Sequence, residues 1–339
     1  LLAEVGVIPG SGEDFAIETA VRVKSETYAL FGQADWHLSD TVTASLGLRL
    51  GEETIDGEQS NYSDSIVPSL TNGSENYYAK DRLKEREVSP KLAISWSPVD
   101  ELTVFGNISK GFKSGGFSGP VIHTRSLQYE PEEAVSAEVG IKSRLFDDTL
   151  EVNATVYSMQ FENLQLNVFD GTAIYTVNVD DAESRGVELD FRWLPPMPWL
   201  SVQGSLGFNE TQYGHFPCGP TTWDDTDALP ECGQNAHPSQ DLSGKELPYN
   251  PKVTASLSPT IRFPILPRWG IGGMMAVDVI HQGEHYLDYD LDEQTFQKAT
   301  TKINARLAIG PEDKRWAVIF NAKNLTEVKE KLLVLDTIL

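Results

Sequence analysis

Along most of this chain, apolar residues fall at every second position. Val42, Ala44, Leu46, Leu48 and Leu50 alternate with Thr43, Ser45, Gly47 and Arg49, and the pattern recurs in Val135-Ala137-Val139-Ile141, Val187-Leu189-Phe191-Trp193 and Leu200-Val202-Leu206-Phe208. In an extended backbone successive side chains leave on opposite sides, so each such segment has one apolar and one polar face. The segments run about ten to twenty residues, joined by turns that are alternately very short and long. A soluble sandwich would bury the apolar face against a second sheet. Strands of this length and rhythm instead fit an antiparallel barrel whose apolar face meets lipid.

Alternation and turn chemistry predict strands near 25–38, 42–54, 84–97, 101–112, 131–146, 150–168, 172–194, 199–213, 250–263, 270–282, 299–310 and 315–324, about twelve in all. Tight reversals are expected at Ser39-Asp40-Thr41, Pro98-Val99-Asp100, Asp147-Asp148-Thr149, Pro195 to Pro198, Pro264 to Trp269 and Pro311-Glu312-Asp313. Long loops are expected at 55–83, 113–130, 214–249 and 283–298, all at one end of the sheet. The exception is the short reversal Phe169-Asp170-Gly171-Thr172, whose flanking strands are read as the longest in the chain. Trp36, Trp96, Trp193, Trp199 and Trp316 gather near the short turns, where an interfacial girdle of a membrane barrel would sit.

Composition narrows the field without deciding it. The 339 residues are 40% hydrophobic with a mean hydropathy of -0.29. No stretch approaches the roughly eighteen uninterrupted apolar residues of a helical span, while a barrel strand needs only alternate ones. A formal net charge of -23, with 50 acidic against 27 scattered basic residues, argues against a nucleic-acid partner. Cys218 and Cys232 lie in one loop rich in Pro, Gly and Asp, without the CxxC or paired His of a zinc site, which favours a local disulfide in an oxidising compartment. The start Leu1-Leu2-Ala3-Glu4 has no basic leader and no initiator Met, and the apolar end after Lys329 has no further turn signal. Both ends are therefore expected to be cuts in a longer protein.

Several short segments then become recognisable in order. Tyr28-Ala29-Leu30-Phe31-Gly32-Gln33-Ala34, Leu46-Gly47-Leu48-Arg49-Leu50, Ser89-Pro90-Lys91-Leu92 and Ser109-Lys110-Gly111-Phe112-Lys113-Ser114-Gly115-Gly116-Phe117 come first. Tyr129-Glu130-Pro131-Glu132, Glu138 to Ser143, Asn178 to Ala182, Arg185-Gly186-Val187-Glu188-Leu189, Leu242-Ser243-Gly244-Lys245 with Leu247-Pro248, and Asn321 to Thr326 follow. From about Tyr28 to Thr326 the chain resembles the barrel half of TonB-dependent outer-membrane receptors. The resemblance implies a barrel of roughly 22 strands plugged by an N-terminal domain, of which this chain supplies about twelve. It divides the chain into 1–24 (an extracellular loop or strand remnant), a barrel region at 25–326 and a truncated tail at 327–339. The plug, the TonB box and an aromatic-terminated last strand are not seen. The implied partners are outer-membrane lipid, the TonB complex through the plug, and a ferric siderophore or another small, scarce nutrient.

No catalytic constellation is legible. Gly115-Gly116-Phe117-Ser118-Gly119 misses the spacing of a nucleophile elbow, and no His-Glu-x-x-His occurs. The carboxylates Asp288, Asp290, Asp292 and Glu293 lack the glycine and terminal glutamate of an EF-hand. His281 and His285 are four apart, but a strand turning into a loop sends them in different directions. Asn107, Asn153 and Asn209 open Asn-x-Ser/Thr triplets within expected strands and carry no weight. No cofactor and no metal site are expected. The candidate ligand-facing residues are Phe117, Phe216, Trp223, Tyr286 and Tyr289 among aromatics, with Lys110, Lys113 and Arg125 for an anionic chelate and His123, His215 and His237 as loop imidazoles.

The reading is therefore a non-enzymatic wall segment of an outer-membrane receptor for energy-coupled uptake of ferric siderophores or similar bulky nutrients. Two rivals stand beside it, a passive porin-like barrel and a secreted soluble β-protein acting on polysaccharide. An upstream plug-encoding stretch would separate the first, and monodisperse behaviour without detergent the second.

Overall fold

The computed structural model describes residues 2–5, 17–63, 77–118, 128–169, 174–221, 239–311, 313 and 315–331. Thirteen strands form one antiparallel sheet, each paired with its neighbours in sequence. They are β1 (Leu2–Val5), β2 (Ile17–His37), β3 (Val42–Ser63), β4 (Tyr77–Val99), β5 (Leu102–Lys113), β6 (Glu132–Leu145), β7 (Leu150–Phe169), β8 (Ile174–Trp193), β9 (Leu200–Tyr213), β10 (Val253–Leu266), β11 (Ile271–Gln282), β12 (Thr300–Pro311) and β13 (Val318–Ala322). The twelve expected strands are β2 to β13, and β1 adds one by pairing with the start of β2. No helix among the described residues is long and apolar enough to cross a membrane, which says nothing of strands.

Register turns the local alternation into one continuous surface. Leu30, Leu50 and Val88 lie side by side on β2, β3 and β4, and farther along β4 Leu92 faces Ile108. The same face continues through Val139, Val156, Val187, Phe208 and Val253, then through Leu257, Val279 and Ile303. These side chains are exposed or half-exposed, with Val139 64% accessible. Water would penalise such a surface, and hydrocarbon would not. The opposite face carries Arg49, Lys91, Asn107, Glu138, Glu188 and Asn209 in the same registers. On it the Asn107 amide donates to Glu138 at 3.0 Å, and Lys142 lies 5.5 Å over the Phe105 ring. Gly186 of β8 is small by necessity there, since a Cβ would strike the Phe208 carbonyl oxygen and the Tyr157 ring.

Loop length segregates by end as expected. The tight reversals after β2, β4, β6, β8, β10 and β12 share one end. At the turn after β6, Phe146, Asp147 and Asp148 all take positive φ, a conformation Asp tolerates through its short polar side chain. Trp36, Trp96, Trp193, Trp199 and Trp316 sit at this end with substantial exposure, joined by Trp269 at 76%.

The other end differs from expectation in two respects. The long loop read at 55–83 is mostly strand, because β3 runs to Ser63 and β4 starts at Tyr77. The strands flanking the short reversal after Phe169 are 20 residues each, shorter than the 21, 22 and 23 residues of β2, β3 and β4. On these three strands the apolar row stops at one height. Leu30, Leu50 and Val88 are followed by Tyr28, Glu52 and Arg86, then by residues that are charged apart from Thr54 over the next three outward positions of each strand. At about 3.3 Å per residue, Val88 to Trp96 spans about 26 Å, of the order of the apolar band of a membrane barrel. Residues of β3 beyond Gly51 and of β4 before Glu87 thus project past it.

Candidate functional site

At the long-loop end, three connections turn inward and cover the polar face. Each carries a two-residue ribbon: Gly116–Phe117 with Gln128–Tyr129, Gly219–Pro220 with Ser239–Gln240, and His285–Tyr286 with Phe296–Gln297. Buried Ile55, Gln59, Ala182 and Tyr213 all belong to the polar-face registers, so burial there comes from these loops.

The β5–β6 connection is stitched to both of its flanks. Glu53 accepts hydrogen bonds from Ser25 and Ser114, and Glu85 accepts one from the Gly115 amide at 3.1 Å. The Phe117 ring lies over Gly57, where any Cβ would collide with it. On the other flank, Gln165 donates to the Ser114 carbonyl at 2.9 Å and to the Glu130 carbonyl at 3.0 Å. Asn178 accepts from the Glu130 amide at 2.7 Å and donates to its carbonyl at 3.0 Å. Ser118 and Thr176 exchange a further pair of bonds. Hydrogen bonds from Ser114 and Ser25 hold the Glu53 carboxyl below the usual carboxylate range, while burial pushes that of Glu85 up. Beneath them is a cavity of about 300 Å³ bounded by Thr27, Arg49, Glu53, Glu85, Glu87 and Ser114, with Arg49 ion-paired to Glu87.

The second anchor is apolar. Leu164, Leu166, Val168, Val179, Ala182 and Tyr213 on the extended ends of β7, β8 and β9 form one buried cluster with Phe216 and Leu242 of the β9–β10 connection. Tyr213 and Phe216 meet edge to face at 5.2 Å, and burial pushes the Tyr213 phenol far up. Beside it Tyr249 meets Tyr289 at 6.1 Å, and Tyr286 meets Phe296 at 5.1 Å. Burial raises the phenols of Tyr249 and Tyr289 as well. A cavity of about 420 Å³ opens here among Glu210, Thr211, Gln240, Lys245, Lys252 and Tyr286.

The residues singled out from sequence distribute unevenly over these features. Lys110 is 2.6 Å from Glu133 and Lys113 3.8 Å from Glu132, so both charges are matched locally. Phe117 packs on Gly57, and Phe216 is only 7% exposed within the apolar cluster, which turns both rings to packing rather than toward a ligand. Tyr286 borders the larger cavity, and Tyr289 packs against the apolar cluster. His123, Arg125, Trp223, Cys232 and His237 lie outside the described residues. Cys218 is disulfide-bonded. His215 donates its backbone amide to Asp181 at 3.0 Å.

The acidic run of the β11–β12 connection serves its own turns. Asp288 accepts from the Tyr289 amide at 2.6 Å, Asp290 from Asp292 at 3.1 Å, and Asp292 from Gln294 at 3.1 Å. His281 pairs with Thr301 at 2.9 Å, while His285 is buried against the Gly283 carbonyl at 3.0 Å.

Sequence reasoning missed Glu53, Glu85, Gln165 and the lysines Lys245 and Lys252. Lys245 and Asn178 lay inside quoted motifs without an assigned role. The others carried no signal, since a polar residue on the polar face of a strand is what alternation already predicts.

The description "TonB dependent receptor-like, beta-barrel" fits a family model that matches residues 7–325. The pesticin receptor of Yersinia enterocolitica serotype O:8 / biotype 1B is 23% identical over 300 residues, covering 83% of this chain and 38% of that protein. The chain therefore spans well under half the length of this curated relative. Among solved structures, the ferric yersiniabactin uptake receptor FyuA from Yersinia pestis superposes with a TM-score of 0.74 at 17% identity, over 94% of this chain and 43% of that one. The ferric-catecholate import receptor Fiu from Escherichia coli K12, in its closed form, gives 0.64 at 14% identity, over 97% and 44%. With its lipid-compatible outer face, its segregated loops and a family match along nearly its whole length, the chain belongs to the TonB-dependent receptor-like β-barrel family.

Proposed function

We propose that this chain is the barrel wall and mouth of an outer-membrane receptor that takes up a ferric siderophore or a similarly bulky, scarce nutrient by an energy-coupled route. The observation that carries the reading is the inward folding of the long connections onto the polar face. They narrow the entrance and place polar and aromatic groups above the lumen, an arrangement suited to capturing one ligand rather than passing many. The pesticin, yersiniabactin and ferric-catecholate receptors to which the chain is similar support the ligand class. On this reading the wall sits in the outer membrane of a Gram-negative cell, and a plug domain within the same parent protein couples it to TonB. Its work is binding and passage, with no bond made or broken.

Ligand contact falls to Tyr286, Lys245 and Lys252 around the larger cavity. Tyr289 stands beside them, and the loop residues His123, Arg125 and Trp223 are proposed as further ligand contacts. A Cys218–Cys232 disulfide closes the β9–β10 loop and limits its excursions. The test is growth under iron limitation of a strain whose only receptor of this type is the parent of this chain, supplied in turn with ferric hydroxamate, catecholate and mixed phenolate–thiazoline chelates. Growth on one class, abolished by loss of TonB, is expected. Uptake that persists without TonB and shows general solute conductance would replace the reading with a passive pore.

A further inference from the structure

Beyond β13 the chain leaves the regular ladder and follows the long-loop half of β12. Leu325 donates its amide to the Ile303 carbonyl at 2.8 Å, and the Thr326 hydroxyl donates to the Thr301 carbonyl at 2.9 Å. Asn324 closes a turn at this point. Its side-chain oxygen accepts from the Val328 amide and its side-chain nitrogen donates to the Val328 carbonyl, both at 2.9 Å. The backbone is left-handed at Asn324 (φ 52°) and at Glu327 (φ 53°), a conformation that asparagine tolerates and glutamate seldom adopts.

Glu330 and Lys331, which follow, face different elements. The Glu330 carboxylate meets Lys302 at 2.6 Å and accepts from the Thr300 hydroxyl at 3.1 Å, which registers the segment on β12. Lys331 reaches the β11–β12 connection instead. Its backbone amide donates to the Gln297 side chain at 2.9 Å, and its ammonium donates to the Gln294 carbonyl at 2.5 Å and the Phe296 carbonyl at 3.4 Å. That connection, residues 283–298, carries five carboxylates and a single lysine, so a cation brought in from outside it also meets a favourable field.

The ribbon strand that Lys331 grips, Phe296–Gln297, is the partner of His285–Tyr286. Phe296 lies opposite Tyr286 in register, and their rings meet edge to face at 5.1 Å. From the other side, the Tyr249 amide donates to the Tyr286 carbonyl at 2.8 Å and so fixes its backbone. The Tyr286 ring takes its position from Phe296, and Phe296 from Lys331. Tyr286 in turn borders the cavity of about 420 Å³ that also meets Lys245 and Lys252.

We propose that Lys331 is a positioning residue for this cavity: through Phe296 it sets where the Tyr286 ring stands, and with it the width of the space shared with Lys245 and Lys252. The edge of the wall after β13 thereby shapes a pocket built from other strands. The consequence for ligand capture rests on the reading of that cavity as the ligand site, whereas the link from Lys331 to Tyr286 does not.

The test treats the full receptor in detergent with tetranitromethane and follows nitration of each tyrosine by mass spectrometry, with Tyr78, 65% exposed, as internal standard. In K331A the Tyr286 rate relative to Tyr78 is expected to rise roughly fivefold or more, as loss of a charge-assisted hydrogen bond implies. K331R is expected to restore it, and K329A to leave it unchanged. General loosening of the mouth would also raise the rate of Tyr213, which is fully buried. A native Tyr286 rate in K331A, or a Tyr213 rate that rises with it, would overturn the proposal. Iron uptake from ferric hydroxamate, catecholate and phenolate–thiazoline chelates is then measured in cells carrying each variant. For the chelate taken up, K331A is expected to raise KM at an unchanged maximal rate and K331R to reverse the change. Altered nitration with an unchanged KM would remove Tyr286 from the ligand path while the link to Lys331 stands, so failure of the cavity reading and failure of the link are distinguishable.

Discussion

Single residues at the mouth respond to protons in opposite directions. Glu53, held low by Ser114 and Ser25, contributes stability that is fully present above the unfolded carboxylate pKa of about 4.3 and is lost as pH falls through its depressed folded value. Glu85, raised by burial, contributes in the reverse sense: its term is favourable below the unfolded value and fades as pH rises through the folded one. Both hold the segment that starts at Ser114. Hydrogen exchange at Gly115 and Gly116, corrected for intrinsic rates, is therefore expected to quicken below about pH 4. The E53Q variant should flatten that acid limb and E85Q should steepen it. An acid limb unchanged in E53Q would mean that Glu53 does not hold the loop. Neither carboxylate was visible in the sequence, because its meaning comes from a hydrogen bond made dozens of residues away.

Whole elements were more legible, and where they were not the reason is physical. All twelve anticipated strands are present because alternation over eight or more residues has few other causes. Their upper ends were misread because hydropathy alternation is a property of the lipid boundary and the hydrogen-bonded ladder is not. Past Leu50 the outward positions become Glu52, Thr54, Asp56 and Glu58, the contrast between faces disappears, and the pairing carries on to Ser63. The same boundary sets the cost of a charge within an element. Val139→Arg, in the middle of the apolar band, is expected to destabilise the folded barrel by ~2–4 kcal/mol, and Trp96→Arg at its edge by ~0–1 kcal/mol. Urea titration of receptor folded into phospholipid vesicles measures both, and equal penalties at the two heights would contradict the placement of the band. The family, too, was readable from motif order. The functional site was not, since several of its residues serve packing and others lie on loops whose geometry leaves no periodic trace.

At the scale of the molecule, the sheet is a wall in which the β5–β6 loop ties β3 and β4 to β7 and β8. Gln165 and Asn178 on β7 and β8 hold Ser114 and Glu130, whose loop is also held by Glu53 and Glu85 on β3 and β4. Releasing one side by a Q165A/N178A double substitution removes bonds worth about 1 kcal/mol each. Maleimide labelling of a cysteine introduced at buried Ser118 is then expected to accelerate by roughly tenfold or more. Labelling at the native rate would show that the bonds to Glu53 and Glu85 and the packing of Phe117 fix the loop without Gln165 and Asn178. The geometry of these ties has a mechanical sense. They run as a chord across an arc of the ring, and a chord limits how far its arc can flatten. A wall built of sliding strands would otherwise ovalise as its contents shift. Here the arc from β3 to β8 is expected to hold its curvature under load, as a drawstring keeps the neck of a bag from spreading.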